Sequence, residues 1–101
     1  MKRIVGEFQD DITIDEACEF AGTTTAWIHV HTQKLVIISG FVGQGIWIGA
    51  GGNVLITGVV NGDVMNYGRK LRIEGTIGAL ADSGSHGPAE IGASGVILEL
   101  E

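Results

Sequence analysis

The chain has 101 residues, which is one domain's length with no room for a second. Its net charge is -6, with only six Lys and Arg, three of them being Arg69, Lys70 and Arg72. So few cations cannot displace the counterions that nucleic-acid or anionic-membrane binding requires. Seventeen glycines and a single proline, in a chain 45% hydrophobic, disfavour helices and favour short strands with tight corners.

Met1-Lys2-Arg3 opens with two positive charges. Asp10, Asp11, Asp15 and Glu16 follow too soon for a signal peptide. No stretch approaches the ~18 apolar residues that a membrane helix needs. Cys18 is alone, so no internal disulfide framework forms, which fits a reducing compartment. A cytoplasmic protein is expected.

From Ile12 onward a short period takes over. Ile12, Cys18, Thr24, Val30, Val36, Val42, Ile48, Val54 and Val60 recur every six residues. Six residues make one short strand and a corner, and three such sides close a triangle. A helix would instead place apolar residues three or four apart. A longer period overlies this one. Phe20-Ala21-Gly22, Ile38-Ser39-Gly40, Ile56-Thr57-Gly58 and Ile73-Glu74-Gly75 share an apolar-x-Gly ending, at steps of 18, 18 and 17 residues. Cys18, Val36, Val54 and Leu71 stand two positions before each apolar residue and share its face. The predicted fold is an all-β, single-domain parallel β-helix of about five triangular coils of about 18 residues.

The same register sorts the outward residues. His29, Trp47 and Met65 fall in one column. Trp27, Gly45 and Asp63 form the next, and His31, Gly49 and Tyr67 a third. Trp27, His29, His31, Trp47, Met65 and Tyr67 are therefore expected to make one outward patch. Such residues are enriched at interface centres, so the patch is a candidate protein-interaction surface. Leu35, Ile37 and Leu55 are apolar where solvent is expected, which suggests a second covered face. His29-x-His31 falls short of the three or four ligands of a zinc site. Gly49-Ala50-Gly51-Gly52 has the glycines of a phosphate loop without the Lys-Ser/Thr, and corner turns explain it. No cofactor is expected.

Asp82-Ser83-Gly84-Ser85-His86-Gly87-Pro88 reads as a protruding loop. Beyond it, Ile91-Gly92-Ala93-Ser94-Gly95 before Val96-Ile97-Leu98 echoes Ile48-Gly49-Ala50-Gly51-Gly52 before Val54-Leu55-Ile56. The expected layout is one domain over 1–101, with regular coils about 12–80, a loop insertion about 82–88 and a terminal coil 89–101. Uncovered end coils expose strand edges to other copies, which makes Val96 and Leu98 candidate assembly residues.

Ile56-Thr57-Gly58-Val59-Val60-Asn61-Gly62-Asp63-Val64 resembles the bactofilin repeat, an apolar-x-Gly step followed by Gly-Asp and an apolar residue. Leu71-Arg72-Ile73-Glu74-Gly75-Thr76-Ile77-Gly78 and Val36-Ile37-Ile38-Ser39-Gly40-Phe41-Val42-Gly43 look like further copies. The resemblance covers roughly residues 35 to 80. It implies a bacterial cytoskeletal β-helix that polymerises end to end without nucleotide.

Three functions are thus expected, in this order. The first is a non-enzymatic, self-assembling scaffold whose partner is another copy of itself. The second is a small acidic module, such as an immunity protein or antitoxin, that grips a basic protein with the Trp/His/Tyr patch. The third is a hexapeptide-type acyltransferase, with His86 as its general base.

Overall fold

The computed structural model describes residues 2–82 and 89–100. Every element among them is a β-strand, and every strand pairing is parallel. The first turn holds β1 (Lys2–Ile4), β2 (Glu7–Phe8) and β3 (Ile12–Ile14). The second holds β4 (Cys18–Phe20), β5 (Thr23–Thr24) and β6 (Trp27–Val30). The third holds β7 (Leu35–Ile38), β8 (Phe41–Val42) and β9 (Gly45–Ile48). In the fourth, β10 (Asn53–Ile56) precedes β11 (Val59–Asn66), one strand that continues around a corner. The fifth repeats that plan with β12 (Lys70–Ile73) and β13 (Thr76–Asp82). A last rung is made by β14 (Glu90–Ile91) and β15 (Val96–Leu100).

Each turn lies on the one before, giving a β-solenoid of about five turns with three faces. The first face stacks β1, β4, β7, β10, β12 and β14 in that order. The second stacks β2, β5 and β8 under the first half of β11. The third stacks β3, β6 and β9 under its second half. Between Val60 and Asp63 the register of β11 against β13 shifts, a bulge at the corner where the strand bends from one face to the next.

The interior is a set of aliphatic columns running up the stack. Phe20, Ile38, Ile56 and Ile73 form one, each completely buried. Ile28, Ile46 and Val64 form another, and Val42, Val60 and Ile77 a third. Period-2 alternation sends these side chains inward and their neighbours outward, and β-branched residues suit such a pleated surface. The six-residue positions from Cys18 to Val60 are all buried.

The glycines of the apolar-x-Gly endings have a steric reason. A Cβ on Gly40 would stand 1.9 Å from the Gly22 carbonyl oxygen, one on Gly58 2.1 Å from that of Gly40, and one on Gly75 2.0 Å from that of Gly58. Successive turns touch backbone to backbone at this corner, and any side chain would part them.

Three features depart from the sequence expectation. The stack reaches below residue 12, because β1 and β2 pair with β4 and β5. This first step is sixteen residues, as in Phe8↔Thr24 and Ile14↔Val30. Ile14 therefore lies beneath Val30, the place expected for Ile12, and Ile12 lies beneath Ile28. The C-terminal echo also falls differently. Ile91 stacks on Ile73 of the first face and Val96 on Thr76 of the second, one face away from the placement the echo implies. β13 thus ends on the third face at Asp82, and β14 begins on the first at Glu90; in the turns before, the corner between these faces is residues 15–17, 31–34, 49–52 and 67–69. The loop expected at 82–88 itself falls outside the described residues, apart from the backbone of Asp82.

Candidate functional site

The outward residues of the third face, with Tyr67 just beyond it, bring four aromatic rings together. Register places His29 against Trp47 and Trp47 against Met65. It places Trp27 against Gly45 and Gly45 against Asp63. The His31–Gly49–Tyr67 column follows from the adjoining ladder bonds, in which Gly49 N donates to Val30 O and Tyr67 N to Ile48 O. The three expected columns are all present, because the steps from β6 to β9 and from β9 to β11 are both eighteen residues.

Trp47 is the centre of the cluster. Its ring centroid lies 5.2 Å from His31, 5.9 Å from Tyr67 and 6.4 Å from His29, tilted by 42°, 44° and 48°. His29 and His31 stack on each other at 6.4 Å and 18°. Tilted and offset pairs are the favourable arrangements for such rings. Beneath them lie Ile28, Ile46 and Ile48.

Two glycines make room for the indoles. Trp27 reaches across Gly45, its Cζ3 2.7 Å from the place of an added Cβ. Trp47 leans over Gly49 in the same way, at 3.0 Å. Met65 stands beside Trp47 by register.

Asp11 joins the cluster, although the eighteen-residue register does not place it against Trp27. Its Oδ1 accepts from the Trp27 backbone N–H at 3.1 Å, and its Oδ2 lies 3.2 Å from His29 Nε2. The Trp27 N–H first, and then the His29 side chain, hold the Asp11 carboxyl below the usual aspartate range. An eighteen-residue step would have put Asp11 beside His29. The sixteen-residue first turn brings it into line with Trp27.

The other candidates lie elsewhere. Val96 and Leu98 stand on β15 at the far end of the stack, 46% and 69% exposed. The residues expected on a covered face, Leu35, Ile37 and Leu55, lie on the outside of the first face, Ile37 and Leu55 in one column and Leu35 in the next, against Asn53. Ile37 and Leu55 are half-buried between Glu19 and Arg72, and Leu35 is exposed. Cys18 is buried beneath Val36, and desolvation pushes its thiol pKa up. His86, Ser83 and Ser85 fall outside the described residues. No described helix is long and apolar enough to cross a membrane. Among the described residues no group of His, Cys, Asp and Glu could hold a metal ion.

The chain matches no family model, no curated protein and no solved structure.

Proposed function

We propose that this protein is a non-enzymatic, cytoplasmic scaffold of bactofilin-like type that assembles by adding copies end on. One observation carries the reading. The column Ile38–Ile56–Ile73–Ile91 is completely buried through its first three members, whereas Ile91 is 45% exposed because no described rung lies on it. The aliphatic interior therefore comes to the surface at the C-terminal end. On the same last rung Val96 and Leu98, flanking the inward Ile97, are exposed as well. Rung β15 also leaves one row of backbone N–H and C=O groups without a partner strand among the described residues.

The opposite end is built differently. Lys2 occupies the inward column beneath Cys18 and Val36. An inward-pointing charge is a common way to blunt a sheet edge. The C-terminal end is therefore the more adhesive of the two, and strand addition there would supply both ladder bonds and apolar contact.

Electron microscopy of wild type, Val96→Lys and Leu98→Lys tests the proposal. Both side chains are exposed, so the variants should fold. Assemblies should be present in wild type and lost in both variants, while Leu35→Lys on the flank should leave them intact. Unchanged assemblies in the two β15 variants would rule out the C-terminal end as the contact.

A further inference from the structure

The ring cluster of the third face has a charge pattern that the scaffold reading does not use. Asp11, Trp27, Gly45 and Asp63 run up one outward column, so the indole lies between two carboxylates. Rungs are about 4.8 Å apart, so three steps separate the two acids by about 14 Å along the column. Both acids are exposed. Asp15 adds a third carboxylate at the corner, next to Ile14, on whose carbonyl the His31 N–H is bonded. No Lys or Arg occupies an outward position of β3, β6, β9 or the second half of β11. The surface thus offers two half-buried indoles and the exposed Tyr67 ring within a negative field. Its natural complement is a planar cation, which can stack on an indole and donate to a neighbouring carboxylate at once. Arg fits this better than Lys, whose compact, strongly hydrated ammonium stacks poorly.

We propose that the third face binds an arginine-bearing basic segment of another protein, with a guanidinium on the Trp27 indole beside the Asp63 carboxylate, while Asp11 stays engaged with the Trp27 N–H and His29. The neighbouring rings of Trp47 and Tyr67 receive the apolar remainder of the segment. Clustered aromatics beside polar groups are the pattern of an interface centre. Gly45 lets the indole lie low on the face, with its edge toward the Asp63 backbone.

The chain contains two tryptophans, Trp27 and Trp47, and both lie on this face, so intrinsic fluorescence of the folded protein reports directly on occupancy. The probe is a soluble glycine–serine peptide with spaced arginines. Matched peptides with lysine or glutamate in place of arginine serve as controls. The arginine peptide should change the emission saturably, more tightly than the lysine peptide, and the glutamate peptide should do nothing. Asp63→Asn should weaken binding by about tenfold. Glu7→Gln removes the same charge from the second face and should leave binding within about twofold of wild type. Equal losses in Asp63→Asn and Glu7→Gln would reduce the effect to net charge and overturn the proposal. So would an emission change that follows protein concentration with no peptide present, because a second copy would then occupy the face. Assembly through the C-terminal end is read separately by the Leu98→Lys variant, so either proposal can fail without the other.

Discussion

The edge of the Trp27 indole fills the space above Gly45, with Cζ3 and Cη2 2.7 and 2.8 Å from where a Cβ on that glycine would stand. A methyl group there would also meet the Asp63 carbonyl oxygen at 2.4 Å. Gly45→Ala should therefore lift the indole off the face and strain the β9–β11 ladder. A destabilisation of about 1–3 kcal/mol is expected, as for overpacking elsewhere. Urea unfolding and the emission maximum of the folded state check it together. An unshifted emission and an unchanged midpoint would show that the indole does not rest on Gly45.

Gly58 tests the stacking itself. Its added Cβ would meet only backbone, at the Gly40 carbonyl and at Ser39. No side chain can rotate away to make room. Gly58→Ala should cost about 3 kcal/mol or more, at the upper end of overpacking effects. Denaturant titration measures this, and a loss below about 0.5 kcal/mol, typical of surface changes, would mean that the turns are not in contact at this corner.

Thr24 is the polar member of the second inward face, completely buried between Phe8 and Val42. Its hydroxyl donates to Asp10 O at 3.3 Å and accepts from Ala26 N at 3.2 Å. Thr24→Val keeps the shape and leaves the Ala26 N–H without that acceptor. A loss of about 1–3 kcal/mol is expected, the penalty of an unsatisfied buried group. A neutral or stabilising result in the same titration would show that the hydroxyl ties nothing together.

Cys18 should be unreactive in the folded protein. Burial raises its thiol pKa. The sign follows: the folded state favours the neutral thiol, so this contribution is present below the ordinary thiol pKa and is lost as pH rises through the raised value. Iodoacetamide attacks the thiolate. Alkylation at neutral pH should be about a thousandfold slower or more in buffer than in urea, reflecting the small fraction of molecules unfolded. Comparable rates would place the thiol at the surface.

Much of the solenoid is legible in the chain because its middle turns are regular. Columns that pass through Val36, Ile38, Val42, Ile46 and Ile48 repeat at eighteen residues, and inward and outward positions follow from that step alone. The ring cluster is legible for the same reason, since its members lie between Trp27 and Tyr67, where each step is eighteen residues. The seventeen-residue step from Gly58 to Gly75 is legible too, and what escapes are the changed steps at the two ends. The sixteen-residue first turn shifts Ile14 into the core and Asp11 onto Trp27. Near the C-terminus, Ile97 stacks on Ile77 twenty residues earlier, and local similarity to an earlier turn misassigns the face. A six-residue pattern cannot show a step change, because a corner absorbs two residues without disturbing the strands that flank it. Thr24 looks like a tolerated β-branched residue in the sequence. Only the return of the chain to Asp10 reveals what its hydroxyl does.

End-on assembly is tested most directly by sedimentation velocity of the wild-type protein over a wide concentration range, with Leu98→Lys run alongside. The wild type should sediment as species that grow with concentration, and the variant should remain at the smallest of them. A wild-type monomer that keeps one sedimentation coefficient across the range would contradict self-assembly through the C-terminal rung.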